Sequence, residues 1–156
     1  MSRTLPAILC ALYGITGPAF GQAGAVPDPA LTPGVVRAIP DEQIRDTAWG
    51  RDERHVTPAM RAMVFRAYHV TGIHDPSCGD PRCELDHVVP RSCGGADDER
   101  NLFPQAAPYW HEKDLLEDWA ARRVKGGSMT VERCQAMFLA PADWRIAFSA
   151  VFGREP

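Results

Sequence analysis

The chain has no apolar run long enough to span a bilayer as a helix, which takes roughly 20 residues; Leu5 to Ile15 falls short. It has no excess of positive charge, with 17 basic against 20 acidic residues and a formal net charge of -3. A mildly acidic protein is not a general polyanion binder, so any phosphate contact must come from local basic clusters and a metal. Paired CxxC motifs, internal repeats and a separate recognition module are all lacking. The first absence argues against a zinc ribbon. What remains is ordinary for a folded protein: 156 residues, 45% hydrophobic and 24% charged, the size of one domain.

Arg3, the apolar run Leu5–Ile15 and the small residues around Ala19–Gly24 stand in the order of a secretory signal peptide. Residues 1–23 are therefore expected to be the signal, 24–40 a flexible lead-in rich in Pro, Ala and Gly, and 41–156 the functional domain. The expected location is secreted or periplasmic, with no stable membrane association after signal removal. Cys10 leaves with the signal. Cys78, Cys83, Cys93 and Cys134 remain, an even number that suggests disulfides in an oxidising compartment. Four cysteines allow three pairings, and Cys78 with Cys83 across Gly79-Asp80-Pro81 is sterically reasonable. The competing arrangement is a structural zinc on Cys78, Cys83, Cys93 and His74.

Periodicity predicts a short helix over 41–48, with Asp41 as its cap, and a stronger one over 56–68. In the latter Thr57 is a good N-cap, Pro58 suits the first turn, and Met60, Met63, Val64, Ala67 and Tyr68 form an apolar stripe. Short strands are expected at 84–89 and 101–105, joined by a Gly-containing loop. Helices follow at 110–124, with Leu115, Leu116, Trp119 and Ala120 inward, and at 130–139 and 142–152. Helix, strand, strand, helix and further helices make an α+β fold rather than a parallel one.

The chemistry concentrates in Glu84-Leu85-Asp86-His87-Val88-Val89-Pro90, Gly94-Gly95, Asn101-Leu102-Phe103-Pro104-Gln105 and His111-Glu112-Lys113-Asp114. Hydrolysis of a phosphodiester needs a water, a base to take its proton and a cation to offset charge. Asp86 offers a hard oxygen ligand, His87 an imidazole available as a base near pH 7, and Asn101 a hydrogen-bonding group across the ribbon. Adjacent strand residues point to opposite faces, so Asp86 and His87 can serve one phosphate only where the strand ends or bulges.

These segments resemble the HNH nuclease family, and the motifs Trp49-Gly50-Arg51-Asp52 and Asp143-Trp144 extend the resemblance to small exported bacterial HNH proteins over nearly the whole mature chain. The chain departs from that exported pattern in having no cysteine near Arg45-Asp46 and Lys125 where another would stand. The resemblance implies a ββα-metal core with flanking helices. Asp86 and His111 would be metal ligands, His87 the general base and Asn101 the residue that positions the loop. It also implies one divalent ion (Mg2+, Mn2+ or Zn2+) and an endonuclease acting on DNA, or on RNA, with low sequence specificity.

Arg91 is a candidate phosphate contact, and Asp114, one turn from His111, is a candidate to orient that histidine or to join the ligands of the metal. Lys113 and Glu117, four residues apart, read as a surface pair. Arg51, Arg54, Arg61 and Arg66 read equally as a phosphate-binding face or a solvated one. The alternative to an enzyme is a non-enzymatic exported module, stabilised by disulfides or zinc, that binds nucleic acid or a protein. Such a module has no need for a base and two metal ligands to converge.

Overall fold

The computed structural model describes residues 23–139 and 143–156. The expected signal peptide, Ala23 apart, lies outside the described residues, as does Cys10. Among the described residues no helix is long and apolar enough to cross a membrane.

The fold is α+β. Helices α1 (Asp41–Asp46) and α2 (Pro58–Ala67) precede a two-stranded ribbon of β1 (Glu84–His87) and β2 (Leu102–Gln105). Helices α3 (Tyr109–Lys125), α4 (Val131–Leu139) and α5 (Trp144–Phe152) follow. The strands are antiparallel, with Glu84 opposite Gln105, Asp86 opposite Phe103 and His87 opposite Leu102.

Three of the helix starts, those of α2, α4 and α5, carry a side-chain cap. The Thr57 side chain accepts a hydrogen bond from the Met60 amide at 3.2 Å, satisfying one orphan donor of α2. Thr130 does the same for Arg133 at 3.1 Å, and Asp143 for Arg145 at 3.1 Å. Asp41 does not cap α1; Pro40 holds the N-cap position without a side-chain bond.

Two apolar clusters flank the ribbon. Val64, Phe65 and Tyr68 of α2 pack with Leu85, Leu102 and Phe103. Ile44 of α1, Leu116, Ala120 and Val124 of α3, Phe138 of α4 and Trp144 and Phe148 of α5 form the other. Three expected stripe residues lie outside these cores: Ala67 is exposed, Met63 is 47% exposed and Leu115 48%. In α2 the inward face centres on Val64, Phe65 and Tyr68, which turns Met63 to the far side. In α3 it follows the four-residue row Leu116, Ala120, Val124, and Leu115 stands one position off that row.

Residues 24–40, expected as a lead-in, lie as a strap across the ribbon and α5. Gly24 bridges Gln105, Val36 bridges Gly95, and the Trp144 indole donates to the Ala25 carbonyl at 2.6 Å. The Gly34 and Arg37 amides donate to the Arg100 and Gly94 carbonyls at 3.0 and 2.8 Å. A Pro- and Gly-rich composition removes propensity for regular structure, yet many of the backbone donors that remain still find partners.

The four cysteines among the described residues are paired, as Cys78–Cys83 and Cys93–Cys134. This overturns the zinc alternative, because a disulfide sulfur is not a thiolate ligand. The bonds span 5 and 41 residues. On loop-closure entropy, removing Cys93–Cys134 by double alanine substitution is expected to cost about 4 kcal/mol, and removing Cys78–Cys83 about 2 kcal/mol. Urea titration of the two double variants checks this; equal losses would contradict it.

Candidate active site

The segment between the strands carries the site, and Asn101 gives it shape. Asn101 is fully buried. Its side-chain oxygen accepts from the Val89 and Val35 amides at 2.9 and 3.2 Å, and its amide donates to the Val89 and Ala96 carbonyls, both at 3.0 Å. One side chain thereby ties the end of β1, the middle of the loop and the strap together. Gly95 lies so close that a Cβ there would stand 1.8 Å from the Val89 oxygen, so no other residue fits. With both ends of its amide engaged, Asn101 is a positioning residue and not a metal ligand.

The loop so closed brings Asp97 back to His87. The His87 Nε2 lies 2.8 Å from Asp97 Oδ1, and Asp97 Oδ2 accepts from the His55 amide at 2.7 Å. With Nε2–H donating to the carboxylate, Nδ1 keeps its lone pair. The ring is buried, and burial lowers its pKa to about 4, outweighing the carboxylates of Asp86 and Asp97. Burial alone would raise Asp97, but the His55 amide, the His87 ring and the Arg91 charge hold its carboxyl below the ordinary range.

Asp86 faces α3. Its Oδ1 accepts from the His87 amide at 2.8 Å, and its Oδ2 lies 2.7 Å from the Lys113 ammonium. Lys113 is 1% exposed, so the expected surface pair with Glu117 is a buried one. Its three N–H donors go to Asp86, to the His87 carbonyl at 2.8 Å and to Glu117. Burial alone would lower the ammonium pKa, and the two carboxylates raise it instead. Glu117, the second carboxylate on one ammonium, is held above its ordinary range by burial despite Lys113.

A cleft of about 320 Å³ gathers Asp86, His87, Arg91, Asp114 and Glu117, with Trp49 at one side. The strand ends at His87, which is how neighbouring side chains that leave β1 on opposite faces still reach one cleft. Asp114 is pushed up to about 6 by burial and by the Asp86 charge. Arg91, the candidate phosphate contact, is braced inside the protein. It pairs with Asp52, donates to the Glu53 carbonyl at 2.6 Å and lies 3.6 Å from Asp97.

His111 does not line the cleft. It is exposed on the first turn of α3, its ring 3.6 Å from that of Trp110. The start of α3 at Tyr109 sets this helical phase, and the sequence interval alone does not reveal it. Among the described residues no three His, Cys, Asp or Glu side chains converge as a metal site. Asp86 and Asp114 line one cleft as two hard oxygen donors, and His111 lies outside it. A Mg2+-like ion suits such a set, since it is commonly held by one or two carboxylates, several waters and substrate phosphate.

Sequence reasoning missed Asp97 and the burial of Lys113. The only signal for Asp97 was a carboxylate in the Gly94–Asp98 turn, of the kind that orients a histidine. The chain has no match among family models, curated proteins or solved structures.

Proposed function

We propose that the protein is an exported, metal-dependent phosphodiesterase acting on nucleic acid through an HNH-like ββα core. The observation that carries the reading is the His87 imidazole. It is oriented by Asp97 at 2.8 Å, neutral well below pH 7, and lines the same cleft as Asp86 and Asp114. His87 Nδ1 takes the proton of the attacking water, and Asp97 stabilises the imidazolium that forms. Asn101 and Gly95 hold the loop on which this geometry depends. Lys113 fixes Asp86 against α3 through its contacts at 2.7 and 2.8 Å. A divalent ion on Asp86 and Asp114 would offset charge on the phosphate and the leaving oxygen. With no separate recognition module, cleavage is expected to be largely independent of sequence.

One observation favours the second reading, a non-enzymatic module. Asp86 already has a buried counter-ion in Lys113, so the site is electrostatically satisfied without metal.

Calorimetric titration with Mn2+ tests the ligand assignment. Asp114→Asn and Asp86→Asn are each expected to weaken binding by tenfold or more, and His111→Ala to leave it within twofold. Loss of binding in His111→Ala with Asp114→Asn unchanged would return the ligand role to the histidine. Hydrolysis of bis(p-nitrophenyl) phosphate by the wild-type protein, with Mn2+ and with EDTA, tests the activity itself.

A further inference from the structure

Beside the catalytic cleft lies a second one of about 520 Å³, lined by Arg54, Arg61, Arg82 and Glu84, with Leu85 and Ile73. The two clefts are neighbours: Arg54, Glu84 and Leu85 line both. Their charges are opposite in sense. The catalytic cleft is dominated by Asp86, Asp114, Glu117 and Asp118. Its neighbour has three arginines and one glutamate, a balance of +2 in a protein whose formal charge is -3.

The arginines are held in different ways. The Arg54 guanidinium is anchored on the Leu85 carbonyl at 3.1 Å, at the boundary between the clefts. Arg61 projects from α2, its guanidinium carbon 6.0 Å from the centre of the Phe65 ring. Arg82 lies 3.3 Å from Glu84 and neutralises the one carboxylate that would repel an anion. Neither Arg54 nor Arg61 has a carboxylate within salt-bridge distance among the described residues. A solvated face would spread such charges. Here they converge on one cavity, and the guanidinium fork matches a phosphate.

We infer that this basic cleft seats a phosphate next along the strand from the one at His87, which makes the substrate a polynucleotide and not an isolated diester. The inference rests on the phosphodiesterase reading above and adds to it a second phosphate-binding site.

Two measurements on the mature chain separate the claims. The first is binding of a fluorescein-labelled single-stranded DNA oligonucleotide in EDTA, followed by anisotropy across a salt series. The second is hydrolysis of bis(p-nitrophenyl) phosphate with Mn2+, a diester too small to reach the second cleft. Arg61→Glu and Arg82→Glu, both on the surface, are each expected to weaken oligonucleotide binding by about tenfold at low salt. Arg61→Ala is expected to reduce the salt slope by about 0.7, the loss of one phosphate contact on a single strand. Hydrolysis of the small diester should stay within twofold of wild type in all three. Oligonucleotide affinity and salt slope unchanged in both Glu variants would overturn the basic cleft while leaving the phosphodiesterase intact. A wild-type protein that binds the oligonucleotide through these arginines yet hydrolyses no diester would uphold the cleft and sink the enzyme.

Discussion

Lys113→Met is expected to destabilise the protein by about 3 kcal/mol, a fall in Tm of roughly 10 °C. The substitution keeps most of the side-chain volume and removes the ammonium. Asp86 and Glu117 then lose their shared counter-ion, and the His87 carbonyl loses its donor at 2.8 Å. The lower end of the range for breaking a buried ion pair applies, because the side chains of Asp86 and Glu117 keep 18% and 23% exposure. Glu117→Gln added to Lys113→Met should recover part of the loss by removing one stranded charge. Guanidinium unfolding of the single and double variants measures this. A loss under 1 kcal/mol in Lys113→Met would mean that the lysine is dispensable to the ribbon–helix contact.

His87→Ala should lower diester cleavage roughly 10²- to 10⁴-fold, the usual range for a lost general base. Its fold and metal affinity should survive, since Asp97 keeps the His55 amide and Asp86 keeps Lys113. His87→Gln, which can still donate to Asp97, guards against a fold artefact and should be equally inactive. The pH dependence differs from what an ordinary imidazole would give. With a pKa of 6.5 the acid limb would fall between about pH 6 and 7. Burial lowers His87 to about 4, so the base stays neutral through pH 5, and its limb moves down accordingly. The same shift links to stability. A folded-state pKa below the unfolded one contributes stability that is present above pH 6.5 and lost as pH falls through about 4. Acid unfolding of His87→Gln should accordingly be flatter than wild type across that window. Equal acid sensitivity would show that the ring titrates as if exposed.

What was legible in the sequence follows from which interactions are local. The Thr57 cap, the start of β1 at Glu84 and the pairing of two short strands rest on contacts within a few residues or on alternating burial. The role of Asn101 was also legible, because an asparagine at the start of the second strand has the loop as its nearest partner. The fate of Lys113 was not. A lysine four residues before a glutamate looks the same on a surface and in a core, and only docking of α3 onto β1 supplies Asp86. The place of His111 was not legible either, because it depends on where α3 begins: with the start at Tyr109, Asp114 lines the cleft and His111 does not. Asp97 depends on a loop closed by Asn101 and Gly95, so its hydrogen bond to His87 is a tertiary fact. The strap at 24–40 was not legible either: its Pro- and Gly-rich composition gives no propensity signal, and its backbone bonds go to residues distant in the chain.

The most direct test is relaxation of supercoiled plasmid DNA by the mature protein. Wild type is assayed with Mg2+ or Mn2+, wild type with EDTA, and His87→Gln with metal as the matched control. Nicking is expected only in the first, without preferred sites. Wild-type nicking that persists in EDTA would remove the metal from the mechanism. Nicking by His87→Gln at the wild-type rate, or none by wild type with either metal, would contradict a phosphodiesterase centred on His87.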